Sequence, residues 1–390
     1  MTIAEYIFGV CLFLVLYTYL LYPILLFLAY PLWQARRDWH YLRKRLNRRA
    51  ALRTEELPTI SLIVPAYNEE SCLWDKIANI RQLDYPQDRL EVVFVSDGSS
   101  DRTNEILGSL GDPNIRTLLL PARQGKANAL NEGVARSRHE ILLLSDASTL
   151  FAPDAPKKLV RHFSDPRVGV VCGALEFRGT AESRQTEGIY WKYESMLRLM
   201  EGRLGATLTA SGAMYALRRQ CYRPLPLDAL IDDFLVCMNV RRLGYNVVYE
   251  PESVATEFAP ESVEGEFVRR IRIALGSFRA LGELVRLPLD VTTCVALLSH
   301  KILRWILPFL LVALLVSNAF LLGRPLYQVT FVGQLLFYLW AGAGWAFRRR
   351  LGRVRFGLLG YFLLAIHVAF LVGFWRFLMG RGASSWERVG

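Results

Sequence analysis

Apolar and polar positions divide the chain into uncharged stretches and a middle with the rhythm of a folded domain. Residues 6–35 carry no charged side chain, 302–323 carry only Arg304, and 325–347 and 356–375 carry none. A helix needs about 20 apolar residues to cross a bilayer, so this pattern predicts four spans. The first stretch is about twice as long as the apolar core of a secretion signal, and "RRDWHYLRKRLNRR" follows it instead of a small-residue cleavage sequence. A retained anchor is expected.

Between the first and second stretches the periodicity changes. "ISLIVPAYN" (60–68), "LEVVFVSDGSSDRT" (90–103), "IRTLLLP" (115–121) and "HEILLLSDAS" (139–148) are apolar runs, most of them ending in polar residues. "SCLWDKIANIRQL" (71–83), "TNEILGSL" (103–110) and "GKANALNEGVARS" (125–137) have helical spacing. Strands alternating with helices predict an α/β fold whose parallel sheet is buried on both faces. Ligands bind such sheets beyond the carboxyl ends of the strands, where Asn68, Asp97 and Asp146 fall.

After residue 150 the order becomes a strand at "VGVVCGALEF" (168–177), a helix at "EGIYWKYESMLRLMEGRLG" (187–205) and a strand at "ATLTASGAMYALRR" (206–219). A helix at "IDDFLVCMNVRRLG" (231–244) follows, with two acids at its start and Gly244 at its end. "YNVVYEPESVATE" (245–257) reads as a strand and "EGEFVRRIRIALGSFRAL" (264–281) as a basic helix. The expected organisation is an anchor (1–35), a basic linker (36–56), a catalytic domain with interfacial helices towards its end (57–290), three further spans (291–380) and a tail (381–390).

Charge refines the picture. The 390 residues carry a net +11, but much of the excess lies in 36–53 and 348–355, beside spans. That distribution suits anionic headgroups rather than nucleic acid, and it places both runs and the domain in the cytoplasm, under an inner membrane crossed several times. The six cysteines form no C-x-x-C pair, so no zinc or disulfide framework is visible, and the five histidines are isolated.

Several positions admit two readings. Asp146 in "SDAS" (145–148) and Asp97-Gly98 are turn formers or ligand-facing acids. Asp232 and Asp233, like Glu69, suit a helix N-terminus as much as a site. Gly125-Lys126 opens a helix without P-loop spacing, and a cation there opposes the macrodipole, which favours a phosphate-facing role. Ser211, Gly212 and Ala213 allow close backbone approach or a tight core. Trp191 and Tyr193 are core or sugar-stacking residues, and "HKILRW" (300–305) reads as interface anchoring.

In order, "VPAYNEE" (64–70), "SDGSSDRT" (96–103), "QGKANALN" (124–131), "SDAS", "SGAMYALRR" (211–219), "IDDF" (231–234) and "RRIRI" (269–273) resemble the membrane-integrated family 2 glycosyltransferases. That group includes bacterial synthases of cellulose, hyaluronan, chitin oligosaccharides and poly-N-acetylglucosamine. The resemblance implies a GT-A-like mixed, mostly parallel sheet with flanking helices and about four transmembrane helices. It implies a UDP-linked donor that meets Ala66, Tyr67, Glu69 and Asp97 on the uridine side, and Lys126, Arg269 and Arg272 towards the phosphates. Asp146 matches the first acid of the D-x-D element and implies Mg²⁺ or Mn²⁺, with Ser148 in place of the second acid. Asp233 matches the general base and Asp232 its orienting neighbour, while Ser211, Gly212 and Ala213 border the acceptor. Ile273 stands where the family has a sugar-stacking Trp, which weakens the case for processive synthesis. The implied function is inverting, metal-dependent sugar transfer to a hydroxyl, making a β-linked exopolysaccharide or oligosaccharide, with N-acetylglucosamine or glucose as the leading sugars. Polysaccharide-export subunits are possible partners. The alternatives are single addition to a lipid (a polyprenyl phosphate or a ceramide-like acceptor) and a non-catalytic subunit that binds nucleotide sugar.

Overall fold

The apolar runs of the middle region pair into one eight-stranded sheet. Its strands are β1 (Ile60–Ala66), β2 (Leu90–Asp97), β3 (Ile115–Leu120), β4 (Ile141–Ser145), β5 (Leu150–Phe151), β6 (Val168–Arg178), β7 (Met214–Arg218) and β8 (Asn246–Phe258). The computed structural model describes residues 2–44, 52–178, 181–258, 263–284, 289–346 and 357–380. The strand order is β3-β2-β1-β4-β7-β6-β8-β5. The first four are parallel, β7 runs antiparallel to β4 and β6, and β8 is parallel to β6 but antiparallel to β5. The mixed, mostly parallel sheet expected from the sequence is present.

Helices α3 (Glu70–Arg81), α4 (Thr103–Gly108), α5 (Lys126–Arg136), α6 (Ala155–Val160), α7 (Ala181–Leu204), α8 (Asp232–Arg242) and α9 (Val263–Leu284) belong to this region. Before them lie α1 (Ile3–Leu16) and α2 (Tyr22–Lys44), joined by a π-helical turn. After them come α10 (Val291–Ala296), α11 (Leu303–Ala319), α12 (Pro325–Ala346) and α13 (Gly357–Leu378).

Alternate strand residues feed two cores, as the two-residue period requires. Ile63, Val93, Val95, Leu142 and Leu144 pack with Ala129 and Leu130 of α5 on one face. Leu62, Val64, Val92, Phe94 and Leu143 pack with Leu73 and Ile77 of α3 on the other. The first core runs on into Ala274 and Phe278 of α9, Trp305 of α11 and Phe370 of α13. Phe374 seals this junction edge-on against Phe278 and Phe309, with ring centroids 5.0 and 4.8 Å apart. The domain therefore shares its core with the apolar helices.

One expectation needs correction. Only Met214–Arg218 of "ATLTASGAMYALRR" form the strand β7. Residues 206–213 lie outside any named strand apart from a single bridge between Ser211 and Met214, and Arg241 holds their start by donating to the carbonyls of Gly205 (2.5 Å) and Thr207 (3.2 Å). Three helical stretches are long and apolar enough to cross a membrane among the described residues, close to the four expected: Ile3–Arg36, Val291–Ala319 and Gly360–Leu378. The other expected stretch, α12, is uncharged over its 22 residues. The basic run 348–355, residues 45–51 of the run 36–53, and the tail lie outside the described residues.

Candidate active site

Neighbouring strands β2, β1 and β4 end at one rim, with the reversal of strand order at β1. The loops after β1 and β2 are stitched together. Ser100 N–H donates to Asn68 Oδ1 (2.8 Å), Glu69 N–H to Thr103 Oγ1 (2.9 Å) and Glu70 N–H to Asp101 Oδ2 (3.1 Å). Ala66 is fully buried beneath them, and Glu69 is buried and accepts from Cys72 Sγ at 3.0 Å. Tyr67 is half-buried, and the Arg123 guanidinium lies 3.9 Å from its ring centroid. This pair offers a flat cationic and aromatic surface at the rim. Nothing in the sequence reading singled out Arg123.

Asp97 is fully buried, and its two oxygens accept Gln124 N–H (2.8 Å) and Gly125 N–H (2.7 Å). Gly125 has φ +100°, a backbone that L side chains rarely adopt. Asp97 thus fixes the loop that launches α5 and places Lys126, its first residue.

Lys126 is the hub. Its Nζ lies 2.8 Å from Asp146 Oδ1 and 3.2 Å from Asp232 Oδ2. Burial alone would lower its pKa, but the two carboxylates outweigh this and raise it, so the ammonium stays charged. Gly125, Lys126, Asp146, Asp232 and Arg272 line a small cavity at this point. Burial, and then the charge of Arg269, lowers the Arg272 pKa, although Asp232, Asp146 and Asp233 oppose the shift. Its buried Nε has no hydrogen-bond partner among the described residues. This donor set suits an anion braced by a cation.

Asp233 follows Asp232 directly but lines a different cavity, with Thr209, Ser211, Gly212, Arg269, Ile273, His300 and Phe370. Thr209 Oγ1 donates to Asp233 Oδ2 at 3.3 Å. Burial, and then the charge of Asp232, raises the Asp233 pKa. Gly212 separates the two cavities: a Cβ added there would lie 3.4 Å from Lys126 Nζ and 3.8 Å from Asp146 Oδ2. Ser211 and Gly212 face the second cavity, whereas Ala213 is buried in the sheet's second core. Arg269 lines the second cavity and pairs with Glu266 (3.4 Å), while Arg272, less than one turn on, reaches the first.

Ser148 Oγ donates to Glu257 Oε1 at 3.2 Å. Burial, and then the charge of Asp146, raises the Glu257 pKa. Asp146 Oδ1 and Asp232 Oδ2 are buried, face the Lys126 ammonium, and make no well-aligned hydrogen bond among the described residues. Buried carboxylate oxygens turned towards a positive charge fit a hard cation. No group of three or more Asp, Glu, His or Cys side chains forms a ready cage among the described residues. The fit is to an ion held by Asp146 and completed by substrate phosphates and water.

Lys76 was not singled out from the sequence either. It has no exposed surface, and its Nζ donates to Ser145 Oγ and Thr149 O, each at 2.6 Å, directly behind Asp146. Burial pushes its pKa down to about 7. A lone lysine at a helical position reads as surface in a sequence, which is why it was passed over. The side chain of Trp191 lies outside the described residues, and Tyr193 is half-buried against the Tyr22–Leu197 cluster.

Residues 61–223 match the family model described as Glycosyl transferase family 2. Those residues are similar to a family 2 glycosyltransferase domain. Poly-beta-1,6-N-acetyl-D-glucosamine synthases of Staphylococcus aureus (strain COL) and Staphylococcus epidermidis are each 27% identical to the chain over 247 residues. Those alignments cover 62% and 61% of this chain, and the chain spans about 60% of the length of these relatives. In structure, the chain is similar to the mannosyltransferase PcManGT from Pyrobaculum calidifontis in complex with GDP-Man and Mn²⁺. The TM-score is 0.65 at 24% identity, over 90% of this chain and 97% of that one.

Proposed function

We propose that this glycosyltransferase moves a sugar from a nucleoside diphosphate donor, UDP-linked, to a hydroxyl, with inversion and with the aid of a divalent cation. The observation that carries the reading is the thin wall at Gly212. On one side a carboxylate, an ammonium and a guanidinium can brace a diphosphate, and on the other Asp233 is available to a hydroxyl. The Staphylococcus synthases favour N-acetylglucosamine as the sugar and a β-linked product, and PcManGT favours a nucleotide sugar with a divalent cation.

In the transfer, a bond forms between the acceptor oxygen and the sugar's anomeric carbon as the bond from that carbon to the β-phosphate oxygen breaks. The electron pair leaves with the diphosphate. Lys126 and Arg272 stabilise that growing charge in a partly dry site. Asp233 takes the hydroxyl proton; its raised pKa makes it a stronger base than an exposed carboxylate. Asp232 keeps Lys126 in place between the two cavities. When bound, a divalent cation at Asp146 supplies further neutralisation of the diphosphate. Because attack comes from the side opposite the leaving group, an α-linked donor gives a β-linked product.

One observation favours single addition to a lipid over a long polymer. The acceptor-side cavity runs down to Tyr19 of the first span and to Leu363, Ile366 and Phe370 of the last, with Ile273 rather than an indole in its wall. The cytoplasmic placement of the domain, at an inner membrane, rests on the basic runs beside the spans. Purified membranes given radiolabelled UDP-N-acetylglucosamine and UDP-glucose with Mn²⁺ test the proposal. Metal-dependent label in lipid or polymer is expected, and no label from either donor in either product would sink it.

A further inference from the structure

Four residues of the cluster "HKILRW" face a cavity. His300 is buried, and His300, Lys301, Arg304 and Trp305 all line the cavity that holds Asp233. Five basic side chains line that cavity (Arg198, Arg269, Arg270, Lys301 and Arg304), against the two carboxylates of Glu194 and Asp233. Arg304 pairs with Glu194, and Arg270 and Arg269 pair with Glu266. Lys301 makes no hydrogen bond or salt bridge among the described residues. It sits in the π-helical turn Leu297–Ile302, inside a stretch apolar enough to span a bilayer. An ammonium at such a position is costly unless it meets an anion or water, and such residues mark functional sites. Leu363, Ile366 and Phe370 of α13 add apolar lining to the same cavity, beside His367. A cavity with both basic and apolar lining is complementary to an anionic headgroup joined to a lipid tail.

We propose that the acceptor hydroxyl belongs to a glycan carried on a lipid through a phosphate, with the phosphate seated against Lys301 and the lipid chain leaving along α11 and α13. This rests on the acceptor-side reading of the Asp233 cavity. The donor diphosphate does not explain these cations, because Lys126 and Arg272 serve it on the far side of Gly212. A neutral growing glycan does not explain them either, because it has no charge to meet Lys301.

The test uses the full chain in detergent micelles, with three probes read by equilibrium binding: a polyprenyl monophosphate, the matching polyprenol, and inorganic phosphate. The lipid phosphate is expected to bind on the order of tenfold or more tightly than either of the others, the size of a charge-assisted hydrogen bond. Lys301→Gln should remove most of that margin and Lys301→Arg should keep it, while UDP binding by both variants reports an intact fold. Equal binding of polyprenol and its phosphate overturns the proposal, as does inorganic phosphate binding as tightly as the lipid. If Lys301→Gln does not fold, the comparison of the three probes on the unmodified chain decides alone. Failure of the catalytic reading shows separately, as absence of Mn²⁺-dependent UDP binding while the lipid phosphate still binds.

Discussion

Asp232 and Asp233 are adjacent in the chain, yet Asp232 faces the Lys126 cavity, with its Oδ2 3.2 Å from Nζ, and Asp233 faces the cavity that reaches the spans. One helix start thus serves two compartments. Residues about 100° apart around a helix cannot share a target, so the position of α8 at the dividing wall gives each acid its own neighbour.

Asp233→Asn is expected to keep donor binding and to lower transfer by about 10²–10⁴-fold, the usual size of a general-base contribution. Initial rates with labelled donor, set beside UDP affinity, check this, and unchanged rates would exclude the base role. Transfer needs the ionised carboxylate, so activity should fall as the pH drops through the raised Asp233 pKa. The same shift means that the folded chain binds a proton here more readily than the unfolded one, so above that pKa the ionised group costs stability. Asp233→Asn should therefore melt no lower than the parent at neutral pH.

Lys126→Ala leaves Asp146 and Asp232 without their shared cation. We expect a loss of about 3 kcal/mol, as when a buried pair is broken. Added Mn²⁺ should restore more stability to this variant than to the parent, because a second cation can fill the charge gap. Thermal melts with and without Mn²⁺ test the point, and identical shifts in the two proteins would refute it.

Gly212→Ala places a methyl group 3.4 Å from Lys126 Nζ and 3.8 Å from Asp146 Oδ2, a contact that the flexible lysine can absorb. The fold should survive. Transfer should fall by about 100-fold, the cost of displacing reacting groups by about 1 Å, with little change in UDP affinity. A parallel loss of both would mean that Gly212 serves only the donor side.

Asp146→Ala should abolish the dependence of donor binding on a divalent cation. Ser148→Ala should preserve most of it, because the Ser148 hydroxyl is engaged by Glu257. Titration calorimetry with UDP, in EDTA and in Mn²⁺, separates the two.

Lys76 gives a signature in stability. Its folded pKa is about 7 against an ordinary 10.5, so between these values the unfolded chain holds the proton and the folded chain does not. Stability should therefore climb as the pH rises from about 7 towards 10.5. In Lys76→Met that part of the climb should vanish, as melts at pH 7 and pH 9 in detergent would show.

Much of this was legible in the chain. Parallel strands buried on both faces must be continuously apolar, and "LIVPA", "VVFVS" and "ILLLS" are, so the left half of the sheet and the acids at its rim followed from pattern alone. β5, with only two residues, carries too little periodicity to be seen. The small, apolar run before β7 looked like a strand because apolar alternation does not reveal whether a partner is available, and residues 206–213 make only an isolated bridge, Ser211 to Met214. Buried charges were the blind spot. Lys76 has an unremarkable sequence context, since desolvation belongs to the packed neighbours rather than to the residue itself.

The sequence by itself determined the alternation of strands and helices, the apolar spans and the residue types available for phosphate and proton chemistry, because these depend on local period and composition. Only the tertiary structure decided that Lys126 bridges Asp146 and Asp232, that Asp233 looks away from them across Gly212, and that Lys301 turns inward. Those relations join residues tens to hundreds of positions apart, and electrostatic energy depends on their separation and burial in space, which no local pattern encodes.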